Sequence, residues 1–549
     1  LASAAAIFRD QGKNAKAADL YARALALQAP AKADANPFAG TVAANPFVGK
    51  SGQRSQSRLS EASLSQIPEP AQVQVAAASE EAIPAPRLGA ANTLITGAGA
   101  YATQSASGSF DDNHRVNPAR PVDPQTEARQ SMQSALDQIQ QERSPRVTQG
   151  VTIRSNDSES GLSKITDVET PLEISLPMGD DRIALRVTPV SLNAGGLSDS
   201  TQTRFGGFSD TQVAELQGLL ATNPSADQLD AFDAGIDGPV GRQKDSGVGL
   251  AVAYENPSLG LKTDLGTSPM GFLYSTVVGG ISVDRSFSEG SDFHYELSLS
   301  RRPVTDSLTS FAGARDARSG LEWGGVTANG GRLQLSYDNG EYGAYGYGAA
   351  HKLVGHNVES NNRLEAGTGV YWYLLNDDSR QLTMGLNLTG ISYDENQNNF
   401  TYGNGGYFSP QNFFSIGVPV GWSQRTDRLS YSIKGAVGLQ HIEQDSAPYF
   451  PNDRDMQAVL EQASQIYAAA GTNVPTRYSS QNKTGIGYNL NAAAEYRFGD
   501  NVFLGGSLGL DNAQDYKQWT GGLYLRYMFE DFTGRMAMPV SPYRSPYSN

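Results

Sequence analysis

The sequence predicts an all-β transmembrane barrel of 16 antiparallel strands, preceded by a short α-helical hairpin, a flexible linker and a single helix. Three observations carry that expectation. A two-residue hydrophobic rhythm runs from Pro145 almost to the C-terminus, short turns alternate with longer loops, and no run of ~18 apolar residues exists for a membrane helix. A chain that spans a membrane without such helices must close its sheet, because strand edges cannot stay unpaired in lipid.

Composition narrows the alternatives. The 549 residues contain no cysteine, which excludes disulfides, thiolate nucleophiles and zinc–thiolate sites within them. A net charge of -15 argues against a nucleic-acid partner. Fifty-nine glycines and 25 tyrosines at a mean hydropathy of -0.41 suit many short, two-faced strands. Leu1 lies inside a helical pattern, so further chain is expected upstream.

The first region, 1–34, reads as two antiparallel helices. Phe8, Gly12, Ala17, Tyr21 and Ala24 follow the small-large rhythm of the last repeat of a tetratricopeptide array; an ordinary amphipathic hairpin is the alternative. One repeat cannot bury its own face, so repeats upstream are implied. Residues 35–124 are rich in Ala, Pro, Ser and Gln, with Asn36-Pro37-Phe38 echoed at Asn45-Pro46-Phe47, and are expected to form a flexible linker. A helix follows over 125–143, carrying Met132, Leu136 and Ile139 on one face until Ser144-Pro145 stops it.

The barrel is expected over 147–531, with a polar tail at 532–549 that holds Tyr543 and Tyr547. Its strands alternate plainly: Leu429, Tyr431, Ile433, Val437 and Leu439 share one face, and Ser430, Ser432, Lys434 and Gln440 the other. Short turns fall at 178–181, 256–259, 288–291, 339–341, 376–379, 426–428 and 499–501. Longer loops fall at 193–246, 305–321, 355–361, 394–410 and 443–481. Fifteen strands are clear, from 162–176 to 519–529. If the short turns are periplasmic, one more strand must climb at the start, and 151–156 is its place; sixteen strands leave both barrel ends periplasmic. The first hairpin sets the register, with Leu172, Ile174 and Leu176 outward against Val187, Leu185 and Ile183, and Glu173 inward against Arg186. A charge turned to lipid at the midplane would cost ~2–4 kcal/mol.

Chemistry is sparse. The five histidines show no ligand spacing, and no metal or cofactor is predicted. Gly505-Gly506-Ser507-Leu508-Gly509 matches a nucleophile elbow, but the strand period runs straight through it. Asp167, Glu169 and Glu173 share one strand face at a spacing a glycosidase could use; a polar pore lining explains them better, so no catalytic residue is assigned. The inward set Asp167, Glu169, Glu173, Arg186, Glu296, Glu365, Tyr371, Tyr373, Asn489, Tyr524 and Arg526 offers aromatic faces and hydrogen-bonding groups to a passing glycan. Inward tyrosines that merely pack are the alternative. A loop helix at 455–470, with Met456, Leu460, Ile466 and Tyr467 on one side, is expected either to gate the mouth or to cap its rim, together with a second helical loop at 211–220.

Several segments are more specific than the alternation. They are Ser144-Pro145-Arg146, Gly161-Leu162-Ser163, Arg186-Val187-Thr188-Pro189-Val190, Gly247-Val248-Gly249-Leu250-Ala251, Leu265-Gly266-Thr267-Ser268-Pro269-Met270-Gly271-Phe272 and Tyr407-Phe408-Ser409-Pro410-Gln411. On these, residues 125–530 resemble the outer-membrane subunit family of bacterial cellulose secretion, cellulose synthase operon protein C. The resemblance implies a 16-stranded porin without enzymatic residues, continuous with a periplasmic repeat scaffold, through which a β-1,4-glucan leaves the cell. It implies as partners the polysaccharide, outer-membrane lipid, and an inner-membrane synthase complex with periplasmic components reached through upstream repeats. Two rivals remain at this point. One is an exporter of another polymer such as poly-N-acetylglucosamine, although Arg186, Lys434, Arg497 and Arg526 make the lumen less acidic than an amine-bearing chain favours. The other is a plugged barrel acting as an envelope scaffold or adhesin.

Overall fold

The computed structural model describes residues 1–10, 13–27, 129, 132–133, 136, 139, 143–156, 159–197, 205–234, 239–241, 243–288, 291–513, 516–532 and 534–547. Gly12 and the linker at 35–124, with its doubled Asn-Pro-Phe, lie outside the described residues.

Sixteen antiparallel strands close on themselves. They are β1 (Arg146–Asn156), β2 (Thr166–Glu169 continued by Leu172–Met178), β3 (Asp181–Gly195), β4 (Gln243–Asn256), β5 (Leu261–Thr267), β6 (Val277–Ser286), β7 (Phe293–Pro303) and β8 (Glu322–Asp338). The circuit continues with β9 (Tyr342–His356), β10 (Asn361–Asn376), β11 (Arg380–Tyr393), β12 (Asn412–Arg425), β13 (Leu429–Gln444), β14 (Gln481–Phe498), β15 (Val502–Ala513) and β16 (Tyr516–Met528). Each pairs with the next, and β16 returns to β1 in an unbroken register from Arg146↔Met528 to Asn156↔Gln518. No edge is left open, which removes the unpaired N–H and C=O groups that lipid could not satisfy.

The pleat sorts the side chains. Leu523 on β16 is 68% exposed and Leu525 49%, whereas Tyr524 between them is 3% exposed. The same alternation continues around the wall: Leu185, Leu250, Leu297, Leu333, Leu364, Ile433 and Leu508 stand on the outer face, and Glu173, Thr188, Gln334, Asn387, Gln440, Asn489 and Glu495 are buried within. An exposed apolar belt around a polar interior is the inverse of a water-soluble sandwich and suits a lipid solvent. The predicted first hairpin register holds pair for pair, from Leu172↔Val187 through Glu173↔Arg186 to Pro177↔Arg182.

Turns at one end are tight and built locally. Asn339 accepts the backbone N–H groups of Glu341 and Tyr342, and Asp377 those of Ser379 and Arg380, each closing an Asx turn. Gly340 follows Asn339 at φ 79°, a left-handed conformation only glycine adopts cheaply. Both ends of the barrel segment, Arg146 and Met528, lie at this short-turn end, paired with one another.

The first two strands differ in their boundaries from the sequence expectation. The opening strand starts at Arg146, five residues before the expected 151, because Arg146–Gly150 pair with β16 despite a glycine and three polar residues. The second strand starts at Thr166, since 160–163 form a turn, and it breaks at Thr170-Pro171. Proline has no N–H to give the ladder, but its carbonyl still accepts from Gly150 N at 2.8 Å and Thr170 N donates to Pro189 at 3.0 Å, so the break does not open the wall.

The helices sit at the two ends. α1 (Ala2–Asp10) and α2 (Asn14–Leu27) form a hairpin whose Ala5, Ala17, Tyr21 and Ala24 are buried together with Met132, Leu136 and Ile139. The described residues between 129 and 143 are helical, so this third segment covers the face that the hairpin alone would leave open. Phe8 packs at its margin under the Lys16 ammonium, 4.1 Å from the ring centre. The hairpin is tied to the barrel at the first short turn: Asp180 Oδ1 accepts Ala15 N at 2.5 Å, placing a carboxylate at the start of α2. At the other end lie α3 (Asp210–Leu220), α4 (Ala226–Ala234), α5 (Leu308–Phe311) and α6 (Arg454–Ala469).

Candidate conduit and its closures

The inward wall is a network of paired charges. Arg186 bonds Glu173 at 2.5 Å, Arg302 bonds both oxygens of Asp264 at 2.5 Å, and Arg154 reaches Asp167 at 2.9 Å. Elsewhere on the wall, Arg526 and the Tyr524 hydroxyl share Glu495 at 3.0 and 2.7 Å, and Glu365 pairs with Arg363 while accepting Tyr347 at 2.9 Å. Tyr371 and Tyr373 both donate to Asp338, at 2.6 and 2.7 Å. Asn489 is buried on β14 with neither amide atom in a hydrogen bond. No two carboxylates stand free for acid–base work among Asp167, Glu169 and Glu173, since each has a partner within the lumen.

Glycine shapes the aromatic part of this wall. Tyr371 lies directly across from Gly343, Tyr345 from Gly369, Tyr347 from Gly367 and Tyr524 from Gly505. A Cβ at Gly343 would stand 2.2 Å from the Tyr371 ring, and one at Gly505 2.1 Å from Tyr524. Each ring therefore lies flat over the neighbouring strand where a side chain is missing, the pairing known to rescue glycine in sheets. Gly505 belongs to the apparent nucleophile-elbow match, and its place mid-strand in β15 assigns it this packing role instead.

The mouth between the long loops is closed. After β7 the chain turns inward into α5, whose Leu308 and Phe311 are buried against Val190, Leu192 and Phe272 of the wall and its loop. Ser307 caps α5 by accepting Ser310 N at 3.1 Å, and its hydroxyl donates to the Gly406 carbonyl at 2.6 Å in the loop after β11. Arg154 adds a bond from the opening strand to the Thr305 carbonyl at 2.7 Å. Asp306, between them, accepts Phe408 N at 3.0 Å. Burial pushes its carboxyl above the ordinary aspartate range, against the opposing pull of the Phe408 N–H and the Arg154 and Arg363 guanidinium groups.

Above α5 the expected loop helices form a separate cap. Met456, Val459 and Ala463 of α6 pack on Val213, Leu216 and Leu220 of α3 and Leu229 of α4, with Leu460, Ile466 and Tyr467 at the margin. Tyr467 donates to Asp230 at 2.6 Å, joining the two loops. The segment that blocks the lumen was thus not the one with the helical signal. Its four-residue helix is too short for periodicity to reveal, and only the capping Ser307 and Ser310 hint at it.

A second closure comes from the tail. Leaving β16, residues 529–532 and 534–536 cross the short-turn mouth, where Arg497 holds the carbonyls of Phe532 and Gly534 at 2.7 and 2.8 Å, and Met536 is fully buried. The chain then rises inside the barrel. The Tyr543 ring meets the inner face of β1 at Gly150, Ser545 donates to Glu169, and Tyr547 donates to the Thr267 carbonyl at 2.6 Å. Gly249 makes room for that last hydroxyl, which a Cβ would meet at 1.7 Å, and the Tyr547 ring stands 5.4 Å from Phe311 of the plug. Nothing in the tail sequence marks this insertion, because each seat is a missing side chain on another strand.

Among the described residues a cavity of about 610 Å³ lies between the tail and the arc β2–β7. Of the eleven inward residues expected to meet a glycan, Glu173, Arg186 and Glu296 line it. Asp167, Glu169, Glu365, Tyr371, Tyr373, Tyr524 and Arg526 face the lumen elsewhere and are engaged as described above, and Asn489 faces it with its amide unpaired.

Comparison with known proteins gives consistent relatives. The family model "Cellulose synthase operon protein C C-terminus" matches residues 163–530. The whole chain is 47% identical to cellulose synthase operon protein C of Pseudomonas fluorescens (strain SBW25) and covers 38% of it. Over 77% of its length it is 31% identical to the protein of that name from Xanthomonas axonopodis pv. citri (strain 306), covering 36% of it. The chain therefore spans little more than a third of these relatives. Among solved structures it is similar to a bacterial polysaccharide outer membrane secretin, at a TM-score of 0.41 and 11% identity, over 71% of this chain and 99% of that one.

Proposed function

Because the chain belongs to the cellulose synthase operon protein C family, by its C-terminal region, we propose that it is an outer-membrane channel that lets a β-1,4-glucan leave the cell without catalysing a reaction. The observation that carries the proposal is the closed 16-strand wall, apolar outside and polar within, around a residual cavity. A barrel of this size encloses an aqueous lumen once its closures move. The short-turn end then faces the periplasm. That orientation sets α1, α2 and the helical residues of 129–143 beside the entrance, as the last tetratricopeptide-like repeat and its cover, where upstream repeats would hand over the polymer from an inner-membrane synthase complex. The plug around α5 is the gate, and α3, α4 and α6 are an external cap.

Transit needs contacts that hold and release, and lumen groups already paired with one another offer a sugar hydroxyl only partial bonds. Secretion of labelled glucan by cells deleted for this protein tests the reading: export should fall to background and return on complementation, and unchanged export would end it. A second reading, a permanently plugged barrel serving as a scaffold, draws on the tail and plug that fill the lumen. Conductance of the purified full-length barrel in a planar bilayer separates the two, since a permanently plugged scaffold stays silent where a gated channel shows opening events.

A further inference from the structure

The geometry points to a fixed tail and a one-sided path: the glucan runs through the groove between the tail and the arc β2–β7, and the tail stays in place as the groove's inner wall while only the plug moves. This rests on the export reading above.

The tail is secured at both ends. Arg497 and Arg425 hold its first turn through the carbonyls of Phe532, Gly534 and Met536, and Phe532 and Met536 are buried with Phe503 and Met528 of the wall. Higher up, Tyr543 fills the notch at Gly150 and packs on Tyr524, with ring centres 6.2 Å apart, while Ser545 bonds Glu169 and Tyr547 fills the notch at Gly249. Two glycines on different strands shaped to two tyrosines of the tail describe a built seat, not a chain lying loosely in a pore. Removing the tail would leave those notches and the Glu169 carboxylate without their partners.

The groove beside it is differently made. At its periplasmic end Glu255 stands 3.8 Å from both Arg182 and Lys262; midway are Glu173 and Asp264, the latter held by Arg302, and Pro546 and Tyr547 form the side contributed by the tail. Its volume of about 610 Å³ falls in the range of sites that enclose a small organic ligand. Planar guanidinium and carboxylate groups in mutual pairs present hydrogen-bonding edges to sugar hydroxyls, while Arg146 and Glu296 line the groove outside those pairs. Arg302 and Pro303 lie at its upper end, directly before the plug loop, so that loop stands between the groove and the cap of α3, α4 and α6.

The test is a reversible bridge. Gly150→Cys with Tyr543→Cys places two thiols where ring and notch now meet, and the 549 residues contain no cysteine to compete. In cells carrying the otherwise full-length protein, a short bis-methanethiosulfonate reagent joins them and a reductant reopens them. Glucan export within twofold of the unbridged double variant supports the fixed tail. Export lost on bridging and restored by reductant overturns it while leaving the export reading intact. Ala253→Trp, which narrows the groove from β4, should cut export at least tenfold in a barrel whose heat-shifted gel migration shows it folded. A folded Ala253→Trp barrel that exports normally overturns the one-sided path. Export from wild-type cells no higher than from the deletion overturns the reading beneath both.

Discussion

Replacing Ser307 by Ala should loosen the gate without touching the barrel. The Ser307 hydroxyl does two things: it caps α5, and it donates across the seam to the Gly406 carbonyl at 2.6 Å. The cap is lost from closed and open plug alike as long as α5 stays helical, so its contribution of about 1 kcal/mol cancels from the gating equilibrium. The seam bond does not cancel. Ser307 is 1% exposed, so the variant leaves a buried carbonyl unpaired in the closed state only, at about 1–3 kcal/mol. At ~1.4 kcal/mol per factor of ten, the ratio of open to closed should rise about 5- to 150-fold. The readout is the conducting fraction of the purified barrel in a planar bilayer, with Ser307→Thr, which keeps the hydroxyl, as the control that should behave like wild type. A folded Ser307→Ala barrel with an unchanged conducting fraction would refute the reasoning, because the two loops would then move as one body and the seam would never part.

Other expectations follow from the same contacts. The raised Asp306 carboxyl means that the closed plug binds a proton more tightly than an exposed aspartate near 3.8 does; closure is therefore favoured below that value and weakens as pH rises through the raised one, so conductance should climb over this acidic window and flatten in Asp306→Asn. Arg154→Gln removes the bond to Thr305 and leaves Asp167 without its arginine, and it should both raise the conducting fraction and destabilise the β1–β2 wall by roughly 3 kcal/mol or more in urea unfolding from vesicles. Leu523→Arg on the outer face should cost ~2–4 kcal/mol in the same assay if it lies near the midplane. Asp180→Ala should speed hydrogen exchange at the start of α2, by the loss of about 1 kcal/mol of capping, while the barrel keeps its unfolding midpoint.

The wall was legible because lipid enforces it. Wherever a strand crosses, an error of one residue would turn charges such as Glu173 and Arg186 outward, so the period, the parity of sixteen and the hairpin register could be read directly from the chain. The opening strand was legible only in part, since Arg146–Gly150 lack a clear alternation and gain their place from β16 nearly 400 positions away. The closures were illegible for a different reason. The plug rests on Ser307 meeting Gly406 and the tail on glycines of β1 and β4, and side chains that are absent leave no pattern in the segment that fills their space. The inward tyrosines illustrate the middle case: their direction followed from parity, but the glycine opposite each ring showed only once the strands were laid side by side.

The join of β1 to β16 governs how the molecule can be made. Its partners are the first and last strands of the circuit, and Glu530 N lies within 3.4 Å of the Ser144 hydroxyl, 386 positions away in sequence. No cylinder exists until the final strand has left the ribosome, so this closure is the slowest kind of contact to find by diffusion along the chain. The tail follows that strand directly and ends up enclosed. It must therefore be drawn inward while the last seam is still unzipped, or threaded afterwards through a mouth that Arg497 and Phe532 already narrow. The order in which seam and tail settle is thus a kinetic property written into connectivity, and assembly has to recognise a closing strand that is followed by further chain.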